Sequence, residues 1–216
     1  RIFLSIETTI PIGTSRTPEP TVRLKNPELR EQVKQILMNM WEVSTDDCVT
    51  DDMQATIEKV FRLWMIHRIG IIKYWYDPEI DGMRTTFVRP PKVIFDAEGT
   101  TVDDCRFIAE YVDSTVDKMI EEFPGKKEEI LKAVGKDRGT SKCKYLEFWT
   151  NEYVCYKFNT IILEKKKNPN FDYGDLNGTG KPLFNIFKKP RKPYIVLNLF
   201  NLGKSVYDDT SLIEQS

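Results

Sequence analysis

Between Asp51 and Asp96 an apolar pattern changes its period in mid-run without losing its hydrophobicity, and that joint dictates what must pack on what. Met53, Ile57, Val60, Trp64 and Ile71, with His67 on the same stripe, step by four and three, the spacing that keeps one face of a helix buried. Past Gly70, Ile71, Lys73 and Trp75 alternate with Ile72, Tyr74 and Tyr76, the period of a strand, so helix and strand share a core. Asp77 to Gly82 carries turn chemistry, and Met83 to Val88 resumes an extended run. Pro90 and Pro91 have no backbone donor. The piece they introduce, Lys92 to Asp96, therefore belongs at a sheet edge or a crossover.

The flanking sequence extends this nucleus in both directions. Residues 1–25, with Pro11, Pro18 and Pro20, read as extended and irregular. Asn26-Pro27-Glu28 starts a helix whose expected buried stripe is Leu29, Val33, Ile36, Leu37, Met40 and Trp41. An acidic connector, Glu42 to Asp52, leads to the second helix, and the two read as an antiparallel hairpin. Downstream, Phe107 to Val112 reads as a strand, and Ser114 as the cap of a helix carrying Val116, Met119, Ile120 and Phe123 and ended by Pro124-Gly125. A helix from Lys126 to Val134 closes at Gly135. Tyr145 to Thr150, Tyr153 to Phe158 and Thr160 to Glu164 form a meander with turns at Asn151-Glu152 and Asn159. Lys165 to Lys181 reads as a polar loop and Pro193 to Phe200 as a last strand.

The expected class is α+β: a helical hairpin followed by a mixed, mainly antiparallel β-sheet with short helices. The expected divisions are an extended segment 1–25, the hairpin 26–69, a sheet region 70–200 and the start of a helix at 201–216. Ser211-Leu212-Ile213-Glu214 has capping-box spacing on a helix that stops within a turn, and the chain opens at Arg1; the sequence is expected to be a piece of a longer protein.

Composition narrows the chemistry. No apolar run reaches the roughly 18 residues that span a bilayer, so no membrane segment is expected. Lys plus Arg number 32 and Asp plus Glu 33, a net charge of −1, so any attraction to a polyanion must be local. The cysteines, Cys48, Cys105, Cys143 and Cys155, are widely spaced with a single histidine to join them; neither zinc nor disulfides are expected, and packing is their reading. The acidic pairs Asp46-Asp47, Asp51-Asp52, Asp103-Asp104 and Asp208-Asp209 are the residue type that holds Mg²⁺ for phosphodiester cleavage, but they are also what loops and helix starts attract. His67 reads as a core histidine, with no nucleophile motif beside it. Gly174 to Lys181 fails the phosphate-loop spacing, with Pro182 in the hydroxyl position. Between Lys157 and Lys192, nine basic residues stand against three acidic ones. From these, Lys165, Lys166, Lys167, Lys188, Lys189, Arg191 and Lys192 are the candidates for facing nucleic acid or guarding a strand edge. No catalytic residue, metal or cofactor is expected.

One series of motifs points to a family. Arg89-Pro90-Pro91-Lys92-Val93-Ile94-Phe95-Asp96 follows the helix-to-strand passage, and Phe107-Ile108-Ala109-Glu110-Tyr111 leads into a helix ending Phe123-Pro124. Leu146-Glu147-Phe148-Trp149 sits in the meander, Pro193-Tyr194-Ile195 opens the late strand, and Tyr207 to Gln215 opens the next helix. In order and spacing these resemble bacteriophage portal proteins, the head-to-tail connectors of tailed phages, over residues 52–216. The resemblance implies a non-enzymatic subunit of a dodecameric ring at a capsid vertex, assembled in the host cytoplasm and carried in the virion. It implies as partners the major capsid protein, terminase, tail adaptor proteins and double-stranded DNA passing through without sequence specificity. The piece would be much of the wing, with stem and clip beyond Ser216. The alternatives are a Mg²⁺-dependent nucleic-acid-processing enzyme using the clustered carboxylates, and another virion adaptor protein.

Overall fold

The computed structural model describes residues 26–46, 53–77, 82–135, 141–171, 188–198 and 205–206. In chain order the elements are α1 (Pro27–Asp46), α2 (Met53–His67), β1 (Ile69–Asp77), β2 (Gly82–Val88), β3 (Val93–Phe95), β4 (Ile108–Thr115), α3 (Val116–Glu122), α4 (Lys127–Val134), β5 (Lys142–Trp149), β6 (Tyr153–Phe158), β7 (Ile161–Lys167) and β8 (Tyr194–Asn198). The strands form two sheets, ordered β2-β1-β8 and β3-β4-β5-β6-β7, and every pairing among the described strands is antiparallel. The fold is α+β, as expected. The chain divides into two compact units: residues 1–90 with 194–200 and 209–216, and residues 91–193 with 201–208.

In the first unit the helix-to-strand joint is a close contact. The chain leaves α2 through Arg68, a non-glycine residue with φ of 69°, and enters β1 at once. At Gly70 a Cβ would stand 2.7 Å from Val60 Cγ1 and 3.0 Å from Val60 O, so glycine is what lets the strand lie against the helix. Phe87 on β2 lies under the Lys59 ammonium at 5.1 Å from its ring centre, and Ile69, Ile71, Val88 and Tyr194 are buried. α2, β1 and β2 thus belong together in the unit that runs through Pro90.

Two expected stripes are corrected here. Among the α2 residues whose side chains are described, Thr56, Val60 and Met65 are buried, Ile57 and Trp64 are half-buried, and His67 is exposed. The last helical turn runs into the left-handed Arg68, so the apolar period cannot be continued from Trp64 through His67 to Ile71 on one face. In α1, Asn26 Oδ1 accepts from the amides of Glu28 (3.0 Å) and Leu29 (3.5 Å), the expected cap. However, Leu29 and Ile36 are 51% and 57% exposed. A period shows which residues share a face, not whether that face meets a neighbour. The side chains of Leu37, Met40 and Trp41 lie outside those described.

In the second unit the short strand β3 occupies an edge, after a 3₁₀ turn at Pro90–Lys92, as its prolines require. β4 continues to Thr115, pairing Ser114 with Cys143 and Thr115 with Lys142. Thr115 therefore caps α3, its side chain accepting from Lys118 N, in place of the expected Ser114, which is still in the ladder. Phe123 and the Pro124–Lys126 turn end α3, and Gly135, at φ of 89°, ends α4. Both helices pack on one side of the sheet: Val116, Met119, Phe123 and Ile130 meet Tyr145, Phe158 and Leu163. Asn159, at φ of 51°, makes the β6–β7 turn, and β7 runs on to Lys167, three residues into the expected polar loop. Residues 1–25, residues 172–181 of that loop, and the expected C-terminal helix start apart from residues 205–206 lie outside the described residues.

Gly70→Ala should lower stability by about 1–3 kcal/mol, because the Val60 main chain cannot move away as a flexible side chain could. The check is the urea midpoint followed by tryptophan fluorescence; an unchanged midpoint would mean that helix and strand do not meet there.

Candidate functional site: a lysine-bearing sheet face

Directly opposed residues of an antiparallel sheet share a face, so the register of the five strands sorts their side chains into two sets. The first set carries Tyr145, Phe158 and Leu163 and meets the helices. The second follows from the pairs Ile94↔Ala109, Ala109↔Phe148, Tyr111↔Leu146, Asp113↔Lys144 and Thr115↔Lys142, then Phe148↔Cys155 and Leu146↔Lys157, and finally Cys155↔Lys165, Lys157↔Ile162 and Tyr153↔Lys167. This second face thus holds Lys142, Lys144, Lys157, Lys165 and Lys167 with the one acidic strand position Asp113. An irregularity between Tyr156 and Lys157 adjusts the last strand.

Contacts support the sorting. Lys165 lies 4.4 Å above the Tyr153 ring centre, Phe107 stacks on Phe148 with centres 4.9 Å apart, and Lys144 stands 3.8 Å from Asp113. Lys92 also bonds to Asp113. Between the lysines the face presents apolar surface: Ile94 is 42%, Tyr111 43% and Ile162 55% exposed. At one end an open cleft of about 550 Å³ is lined by Asp113, Ser114, Thr115, Lys118, Lys142, Cys143 and Lys144.

The residues expected from sequence to form a basic edge are divided by the structure. Lys165 and Lys167 belong to the second face and Lys166 to the first, where it sits 5.4 Å from the Tyr156 ring centre and 3.1 Å from Glu164. All three lie on β7, an edge strand. Lys188 and Lys189 are exposed, and Arg191 pairs with Asp103 at 3.1 Å. Lys192 is the correction: it is 2% exposed, and its Nζ donates to Cys105 O (2.8 Å) and Asn151 Oδ1 (2.6 Å), so it faces no partner. Burial depresses its pKa. The sequence reading left Lys142, Lys144, Tyr111, Ile94 and Ile162 out of the site. The signal that would have found the first two is the alternation Lys142-Cys143-Lys144-Tyr145, which puts both lysines opposite the buried tyrosine.

Lys192 is part of a polar knot. Asn168, itself buried, donates from Nδ2 to Asn151 O (2.9 Å) and Arg191 O (2.7 Å), and its Oδ1 accepts from the Asn170 amide. Cys105 lies in a loop pinned by Asp96, whose carboxylate accepts from Arg106 Nε (2.7 Å), Nη2 (3.1 Å) and backbone N (2.9 Å). The Arg106 guanidinium and amide hold the Asp96 carboxyl well below the usual carboxylate range.

The other candidates gain nothing from their surroundings. Asp104 accepts from the Thr101 and Thr100 hydroxyls, which lower its pKa, and Asp103 is taken by Arg191. The side chains of Asp46 and of the remaining acidic pairs, Cys48 and the 174–181 loop lie outside those described. Among the described residues no group of three or more His, Cys, Asp or Glu is placed to hold a metal ion, and no helix is long and apolar enough to cross a membrane. Cys105 and Cys143 are free thiols whose pKa burial raises, as expected for packing residues.

A carboxyl held down in the folded state stabilises above its unfolded value, about 3.9, and that contribution is lost as pH falls toward the folded value. Asp96→Asn should therefore be less stable than the parent at neutral pH and lose less stability on acidification below about pH 4. Urea midpoints of both chains against pH check this; parallel acid limbs would count against the Asp96–Arg106 fork.

In comparisons with known proteins, no family model and no curated protein matched the chain.

Proposed function

We infer that this chain is a structural subunit of a phage portal ring, the channel at a capsid vertex through which the genome enters and leaves and to which the tail attaches. The observation that carries this reading is the ordered motif series from Arg89 to Gln215. Its described members fall at joints of the fold: Pro90–Lys92 leads into an edge strand, Phe123-Pro124 ends α3, Leu146 to Trp149 lies in the central strand of five, and Pro193-Tyr194 opens β8. The acidic pair Asp103-Asp104 is bonded to Arg191, Thr100 and Thr101, and His67 is exposed.

In this reading the chain assembles with copies of itself and meets the capsid protein, terminase and tail adaptors within the virion. Duplex DNA slides through without being read. A net charge of −1 suits a passage that must not grip a polyanion, since strong binding would follow from many released counterions.

Negative-stain electron microscopy with mass determination, on the natural protein, should show closed rings with a central hole. A stable monomer over a wide range of concentration and salt would overturn the portal reading; Mg²⁺-dependent DNA cleavage, lost on Asp51→Ala with Asp52→Ala, would replace it with the nuclease alternative.

A further inference from the structure

The second face of the five-stranded sheet sets Lys144, Lys157, Lys165 and Lys167 around the exposed Ile94, Tyr111 and Ile162. Its one carboxylate in a strand position, Asp113, is already engaged by Lys92 and Lys144. Such a surplus in a chain whose total is −1 requires a matching acidic surplus elsewhere. The sequence concentrates part of it between Glu42 and Asp52, where Glu42, Asp46, Asp47, Asp51 and Asp52 occur with no Lys, Arg or His, and with Val43 and Val49 among them.

We propose that the lysine face of one copy docks the acidic segment Glu42–Asp52 of a second copy. The dimensions allow it: Glu42–Asp46 ends α1, rising about 1.5 Å per residue, and the six residues from Asp47 to Asp52 can span at most about 3.6 Å each, so the segment reaches up to roughly 29 Å, while five strands about 4.8 Å apart are about 19 Å across. The chemistry matches on both counts, carboxylates to ammonium groups and valines to Ile94, Tyr111 and Ile162. Nucleic acid matches on one only. A single-strand platform needs successive exposed aromatic rings for the bases, whereas two of these three exposed side chains are branched aliphatics, and a duplex backbone has nothing to offer them. Docking one patch onto a different patch of the next copy is a head-to-tail contact, the kind that closes into rings. The inference rests on the ring reading and supplies one of its subunit contacts.

The test uses the full natural protein in two charge-reversed forms, one with Lys144→Glu, Lys157→Glu and Lys165→Glu, the other with Asp46→Lys, Asp47→Lys and Asp51→Lys. Sedimentation velocity reads the assembly state. Each form alone should need about tenfold more protein than the parent for half-assembly, or more, and an equimolar mixture should recover parental assembly because each reversed patch then finds its complement. Parental assembly should also weaken between about 0.1 and about 0.5 M NaCl. Variants that assemble like the parent, a mixture that is no better than its components, or parental assembly indifferent to salt would each overturn the docking while leaving the ring. If the lysine variant assembles normally but loses affinity for a duplex DNA oligonucleotide, the face belongs to nucleic acid and the docking is wrong. A parent that stays monomeric overturns both readings.

Discussion

Burying an ammonium group costs several kcal/mol unless its protons find acceptors, and those that Lys192 finds are remote in sequence: Cys105 O is 87 residues away and Asn151 Oδ1 is 41. Each bond therefore fixes a long-range relation that no local preference could set. Asn168 repeats the device, joining the β5–β6 turn through Asn151 O to the returning segment through Arg191 O. The Asp96–Arg106 fork stiffens the loop that presents the Cys105 carbonyl, and Val206 N adds a further bond to Gly99 O in the same loop. The knot therefore anchors the chain just before Pro193, where it leaves the five-stranded unit. Removing one partner would strand buried polar atoms, which is why such networks are kept whole.

With its end fastened, the five-stranded sheet separates charge by face. Glu110 opposes Glu147, and Tyr156 opposes Glu164, on the helix side. The buried Glu147 accepts from Trp149 Nε1, and Tyr145 donates to Glu122, so that carboxylates and aromatic donors share one layer. Burial, reinforced by neighbouring carboxylates, raises the pKa of Tyr145 and Tyr156. Of the ammonium groups on the five strands, all but that of Lys166 stand on the other side. A period of two in the chain becomes a difference of sign between faces.

What was legible in the sequence was what local pattern controls. The passage from α2 into β1, the proline-marked edge strand, the Pro124 and Gly135 helix ends and the meander turn at Asn159 depend on residues near one another, and the chain displays them. The α1 stripe and the position of His67 needed knowledge of what lies opposite or where a helix unwinds. Serine suits a cap, so local pattern points to Ser114; the ladder with β5 runs one residue further and hands that role to Thr115. Lys192 could not be recognised as buried, because lysine is almost never fully buried without partners and its partners are far away in sequence.

The lysines show why a charge count along the chain misplaces a surface. Lys165-Lys166-Lys167 looks like a patch, yet successive strand residues point to opposite faces, so the run is divided, and the middle lysine is spent on Tyr156 and Glu164. Lys144, Lys157 and Lys165 are separated by about a dozen residues or less, and no window of sequence singles them out. Three antiparallel strands bring them to one side. On a sheet, then, the potential that a partner meets is decided by register. A near-neutral total is compatible with a face of one sign, so long as the compensating charges are held in another part of the chain.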